Sequence, residues 1–138
     1  MNRVDTLFTY LLAAFLMSHG PKCILIVEDE KPIARVLSLK LRNEGFDITL
    51  AEDGFAGLEM LKDGKFDLII LDLMMPKLDG FSVLAELKEQ GNTIPVIVAS
   101  NLSQEEDVKK AKAFGAKEFF VKSEVSLNDL VEKIKQCI

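Results

Sequence analysis

Four short, mostly apolar runs in this chain each end on a polar residue, and that arrangement limits the folds open to it. Cys23-Ile-Leu-Ile-Val27 runs into Glu28, Phe66-Asp-Leu-Ile-Ile-Leu71 into Asp72, Ile94 to Ala99 into Ser100, and Lys117 to Val121 into Lys122. Continuous β-branched runs of this length mark strands buried on both faces, the habit of a parallel sheet. Asp47 to Ala51 reads as one further strand.

The stretches between these runs carry helical signals. Pro32 suits a first helical turn, Ile33, Val36, Leu37 and Leu41 recur at helical spacing, and Gly45 supplies a left-handed stop. Asp53-Gly54 reads as a turn, with a short helix from Phe55 to Leu61. The Met75-Pro76-Lys77-Leu78-Asp79-Gly80 loop leads to a third helix ending near Glu89. Ser103 with Glu106, and Ser126 with Asp129, have capping-box spacing and predict the starts of the fourth and fifth. Five strand–helix units with short connections predict an α/β, doubly wound parallel sheet with helices on both faces.

Composition excludes several classes. The chain has 138 residues, 49% hydrophobic and 28% charged, which is one domain with a real core rather than a disordered chain. Cys23 and Cys137 are too far apart in sequence for a metal motif and too few for a disulfide framework, so they read as small apolar residues in a reducing setting. A single histidine excludes a histidine-based zinc site, and His19 reads as exposed rather than as a relay histidine. A net charge of −5 gives no electrostatic footprint for nucleic acid.

Residues 1–21 form an apolar extension to a domain at 22–138. Its core, Leu7 to Met17, is about 11 residues, short of the roughly 20 that span a bilayer as a helix. No small-x-small cleavage site follows it. Three readings stand: a natural start at Met17 with residues 1–16 added upstream, a helix that docks on its own domain or on a second copy as a homodimer, or a membrane-surface anchor.

In a doubly wound sheet ligands bind at the carboxyl ends of the strands. There the sequence gathers Glu28-Asp29-Glu30, Asp72, Ser100-Asn101 and Lys122-Ser123. Carboxylates packed together raise one another's pKa unless a cation is present, and hard oxygen ligands suit Mg²⁺. A metal leaves one carboxylate free as a nucleophile toward a phosphoryl group, with a lysine and a hydroxyl to meet its oxygens.

As an ordered set these motifs resemble the response-regulator receiver domain of two-component signalling, of the stand-alone chemotaxis-regulator kind, over residues 22–138. Ile24-Leu-Ile-Val-Glu28-Asp29 resembles the family's first strand and acidic pair, and Leu68-Ile-Ile-Leu-Asp72-Leu-Met-Met-Pro76 with Asp79-Gly80 its phosphoacceptor strand and loop. Pro95-Val-Ile-Val-Ala-Ser100 and Phe119-Phe-Val-Lys122 resemble the later two strand ends. The resemblance implies a flavodoxin-like sheet of order 2-1-3-4-5 with five helices. It implies Asp72 as phosphoacceptor, Mg²⁺ held by Glu28, Asp29, Asp72 and the Met74 backbone carbonyl, and Lys122 pairing with the phosphoryl group. Ser100 and Phe119 become the switch pair, read out on the surface of the fourth helix, fifth strand and fifth helix. It implies a cytoplasmic signalling domain rather than an enzyme, partnered by a histidine kinase or histidine phosphotransfer protein and passing the signal on by contact with a downstream protein target or along a phosphorelay, with no nucleic acid and no membrane span.

Some positions depart from the family pattern. Ser123 stands where many members carry a cis proline, so the preceding bond is expected to be trans. Asn101 replaces a small residue, and Phe119 lacks the hydroxyl of tyrosine. Met74 and Leu102 offer no group to orient a hydrolytic water, which predicts slow self-dephosphorylation. Lys109, Lys110 and Lys112, mixed with Glu105, Glu106 and Asp107, read as a solvated helix face or the edge of a partner surface. A haloacid-dehalogenase-type phosphatase needs a second aspartate where Met74 stands. A flavodoxin-like electron carrier needs a phosphate cradle where Glu28-Asp29-Glu30 would repel the cofactor. An unphosphorylated interaction module is the remaining alternative.

Overall fold

The computed structural model describes residues 3–18 and 20–138, with the side chains of residues 16–18 left out of the description. His19 lies outside the described residues. The elements run α1 (Arg3–Ser18), β1 (Cys23–Val27), α2 (Lys31–Asn43), β2 (Asp47–Ala51), α3 (Gly54–Asp63), β3 (Leu68–Leu71), α4 (Gly80–Glu89), β4 (Val96–Ser100), α5 (Glu105–Ala113), β5 (Glu118–Val121) and α6 (Leu127–Cys137). All strand pairs are parallel, in the order β2-β1-β3-β4-β5. The expected doubly wound sheet and its five helices are present, and the extension adds α1 as a sixth.

Side chains alternate across the central strands and build two cores. Ile24, Ile26, Ile70 and Ile97 face α2 and α6, meeting Leu37, Leu41, Leu130 and Ile134. Leu25, Val27, Ile69 and Val98 face α3, α4 and α5, meeting Val83, Leu84 and Ala111. Both sheet faces are covered, which is why these strands read as unbroken apolar runs.

Several local signals act as the sequence predicts. Gly45, at φ 93°, ends α2: its N–H donates to the Arg42 carbonyl (3.0 Å) and the Phe46 N–H to that of Leu41 (3.1 Å). Ser126 caps α6, its hydroxyl accepting from the Asp129 N–H at 3.1 Å.

Two turn readings need correction. Asp53-Gly54 is not a free turn; Asp53 is the N-cap of α3 and accepts from the Ala56 N–H at 2.8 Å. The Ser103–Glu106 capping box does not form, because α5 starts one residue later, with Gln104 at the N-cap and no side-chain cap bond. Glu106 is then one position too early to reach back. Glu105, Glu106 and Asp107 instead place three carboxylates against the positive helix end.

Strand edges shift by one or two residues for physical reasons. Pro95 has no N–H to give a ladder, so β4 begins at Val96 and runs on to Ser100. Before β3, Asp67 accepts from the Cys23 N–H through its side chain (2.8 Å) and donates its own N–H to the Cys23 carbonyl (2.7 Å). Both cysteines are free and half-buried. Among the described residues no helix is long and apolar enough to cross a membrane.

Candidate functional site

The strand order changes direction between β1 and β3, and a crevice opens there at the carboxyl ends. Backbone bonds carry the ladders one step past each strand. The Glu28 N–H donates to the Ala51 carbonyl, Asp72 to Val27 (both 3.1 Å), and Lys122 to Ser100 (2.9 Å). The polar residue that follows each apolar run is thereby held as firmly as the strand itself.

Glu28, Asp29 and Asp72 each offer a carboxylate oxygen within 4.8 Å of the others. Glu28 and Asp72 are only 6% and 5% exposed. Lys122 reaches in from the end of β5, pairing closely with Glu28 Oε1 and lying 3.3 Å from Asp72 Oδ2. The other Asp72 oxygen, Oδ1, accepts from the Met74 N–H at 3.2 Å. Ser100, fully buried, accepts from the Leu102 N–H through its hydroxyl at 3.4 Å. Register Leu71↔Val98 sets Asp72 and Ser100 at the ends of neighbouring strands.

Burial pushes the Glu28 carboxyl up to about 8, and a hydrogen bond and charge shared with Asp72 add to this against the pull of Lys122. Burial pulls the Lys122 ammonium down, but its bonds and charge pairs with Glu28 and Asp72 outweigh that and hold it above the ordinary lysine range. Two buried carboxylates, Glu28 and Asp72, thus share one ammonium.

The donor set fits a hard divalent cation. Glu28 Oε2 and Asp29 Oδ1 are buried and have no hydrogen-bond partner. Two orphaned carboxylate oxygens beside a third carboxylate supply the ligand type and the uncompensated charge that Mg²⁺ takes.

Most of the predicted site residues come together, and some details differ. Glu28, Asp29, Asp72 and Lys122 form one cluster, with Ser100 beside them, whereas Glu30 is exposed and takes no part in it. Met74 meets Asp72 through its N–H while its side chain is 57% exposed. Phe119, paired with Val98, is half-buried against the α3–α5 core. No peptide bond is cis among the described residues, so the bond before Ser123 is trans as expected. Lys110 is more than a solvated residue: its ammonium lies 4.3 Å from the centre of the Phe81 ring and ties α5 to α4.

Two supports of the site have roles that the motif alone does not reveal. Asp79 caps α4, accepting from the Ser82 N–H at 2.9 Å. Gly80 packs so tightly under the acidic loop that a Cβ there would lie 2.3 Å from the Asp72 carbonyl oxygen and 2.7 Å from Leu73 Cα. The Asp-Gly pair before a helical pattern is a sequence signal for the cap; the close approach has none.

Residues 24–135 match the family model described as the response regulator receiver domain. The chain is 39% identical over 99 residues to the transcriptional regulatory protein DltR of Streptococcus agalactiae, covering 72% of this chain and 44% of that protein. It is 35% identical over 112 residues to the response regulator ArlR of Staphylococcus saprophyticus, covering 81% of this chain and 50% of the relative. The chain thus spans about half the length of these curated relatives. Among solved structures, the receiver domain of the Francisella response regulator 1452 superposes with a TM-score of 0.80 at 31% identity, over 84% of this chain and 95% of that one. The response regulator TrrA of Thermotoga maritima, solved in complex with Mg²⁺-BeF, gives 0.76 at 33% identity, over 85% and 99%. With its sheet order, its acidic strand ends and these similarities, the chain belongs to the response regulator receiver domain family.

Proposed function

We propose that this receiver domain accepts a phosphoryl group on Asp72 from a phosphohistidine donor, a histidine kinase or histidine phosphotransfer protein, and signals through a changed surface. The observation that carries the reading is the cluster of buried Glu28 and Asp72 with half-buried Asp29, two of whose oxygens are orphaned beside a single ammonium.

In the transfer, an Asp72 oxygen attacks phosphorus as the donor's N–P bond breaks, leaving an acyl phosphate on Asp72 and a histidine on the donor. The Met74 N–H fixes the carboxylate's orientation through Oδ1. Lys122, already 3.3 Å from Oδ2, pairs with the phosphoryl oxygens. When bound, Mg²⁺ neutralises phosphoryl charge, and Glu28, Asp29, Asp72 and the Met74 backbone carbonyl are the groups that would hold it. Phosphorylation adds about −1.5 to −2 of charge at Asp72. Ser100 turns to hydrogen-bond it and Phe119 follows inward, altering the α5–β5–α6 surface that a downstream protein reads. The domain acts as a phosphoacceptor in the cytoplasm and not as an enzyme on separate substrates.

A second reading, the receiver half of a transcriptional regulator, is favoured by relatives about twice as long that carry that name. It shares the chemistry at Asp72 and differs in output.

Intact-mass spectrometry after incubation with acetyl phosphate tests the site. The expected outcome is a gain of one phosphoryl group that requires Mg²⁺ and is lost in Asp72→Asn. Folded protein that gains no phosphoryl group would leave an interaction module that keeps the fold without the chemistry.

A further inference from the structure

Of the helices that cover the sheet, α5 is held by the least packing. Ala111 alone of its residues is buried, against two in α3, three in α6 and four each in α2 and α4. Its N-cap, Gln104, makes no side-chain bond. At its carboxyl end a cleft of about 120 Å³, walled by Leu87, Val96 and Phe114, lies between it and α4.

Two polar ties from α4 stand where packing is thin. Phe81, in the first turn of α4, carries the Lys110 ammonium 4.3 Å from its ring centre. Lys88, in the last turn of α4 and on the wall of the cleft, donates to the Ala113 carbonyl at 2.9 Å. Ala113 ends α5, and the N–H four residues on, that of Lys117, donates to the Val96 carbonyl instead (2.8 Å). Lys88 therefore satisfies a carbonyl at the helix end where the dipole favours a cation, and does so from another element.

The two helices differ in how they are fixed. Helix α4 is anchored to the site: Gly80, next to Phe81, has no room for a Cβ against the Asp72 carbonyl oxygen, and Val83, Leu84 and Leu87 are buried. Helix α5 is reached from Ser100 through residues 101–104, where the Ser100 hydroxyl accepts from the Leu102 N–H at 3.4 Å. A Ser100 that turns to a phosphoryl group gives up that N–H and loosens the approach to α5. The ties from α4 are untouched by that turn and still hold the helix in place.

We propose that Lys88 and Lys110 form a clamp that holds α5 against α4 in the unphosphorylated state and opens when the phosphorylated state forms. The inference rests on the phosphorylation of Asp72 proposed above. A contact made only in the resting state weakens, by linkage, the hold of the site on a phosphoryl group, so breaking it strengthens that hold. Removing a positive charge would by itself weaken the binding of an anion. The clamp thus predicts a change opposite in sign to a plain charge effect.

The test uses the full chain with Lys88→Met, Lys110→Met, both together, and Lys110→Arg, all at exposed positions. Hydrogen exchange without Mg²⁺ or phosphoryl donor reads the clamp itself: the α5 amides of the Met variants should exchange about two- to fivefold faster, with α2 and α6 unchanged. Calorimetric titration with beryllofluoride, a phosphoryl mimic, in Mg²⁺ reads the coupling. Each Met variant should bind it about two- to fivefold more tightly and the double variant about tenfold, while Lys110→Arg, which keeps a cation over the ring, should match the unaltered chain. Unchanged exchange in α5 overturns the clamp. Faster exchange with equal or weaker beryllofluoride binding overturns its link to the phosphorylated state, as does an Arg variant that behaves like Met. An unaltered chain that binds no beryllofluoride overturns the reading of Asp72 and the coupling with it, a result distinct from either of these.

Discussion

At the residue scale the site is a problem of charge, and its consequences are measurable. In metal-free protein Glu28 titrates near 8, against an ordinary carboxyl value of 4.5, because burial and Asp72 favour its neutral form. The folded state therefore holds this proton more tightly than the unfolded chain does. The stability it contributes is complete below pH 4.5 and is lost as pH rises through 8, at a slope of at most about 1.4 kcal/mol per pH unit. Urea titrations in chelator between those limits should show stability falling with pH, and Mg²⁺ should flatten the fall. Gly80→Ala should destabilise by about 2 kcal/mol or more, since its Cβ meets backbone atoms that cannot give way; the urea midpoint reads this directly. Met74 presents an exposed apolar side chain beside the crevice, and Leu102 is apolar too. Neither can orient a water, so the acyl phosphate on Asp72 should persist for minutes or longer in Mg²⁺. A lifetime of seconds, followed by intact mass, would remove that account.

At the element scale the helix starts divide into those with a side-chain cap and those without. Ser126, Asp53 and Asp79 each accept an N–H three residues on, and Gln104 does not. Ser126→Ala should cost about 1 kcal/mol, while Gln104→Ala should stay within about 0.5 kcal/mol, both read from denaturant midpoints. This scale also shows how far the sequence is legible. Buried strands betray themselves as apolar runs, and Gly45 and Ser126 act where their chemistry predicts. Ser103 does not, because a capping box describes which residues could cap, whereas the path of residues 101–104 off β4 sets where α5 begins.

At the scale of the whole molecule the sheet divides the interior into two cores that share a backbone but few side-chain contacts. Ile69 belongs to the core under α3–α5, and Ile134 to the one under α2 and α6. Ile69→Val and Ile134→Val should each cost about 1 kcal/mol, and the double variant should equal their sum within about 0.5 kcal/mol. A larger departure, measured in urea, would mean that strain crosses the sheet. The order β2-β1-β3-β4-β5 also brings Glu28, Asp72, Ser100 and Lys122 to one edge from positions spread over more than ninety residues.

What this chain's sequence determines by itself is local: period, run length, cap chemistry, and the polar residue that ends each strand, since these depend on neighbours a few positions away. The motif set is specific enough to name Asp72 and its companions before any coordinates. Only the tertiary structure decides which carboxylate oxygens are buried and orphaned, that Glu30 turns outward while Asp29 turns in, and that Gly80 touches the backbone beneath Asp72. Burial, desolvation and close approach are set by atoms distant in sequence, and their energies exist only once the sheet has brought those atoms together.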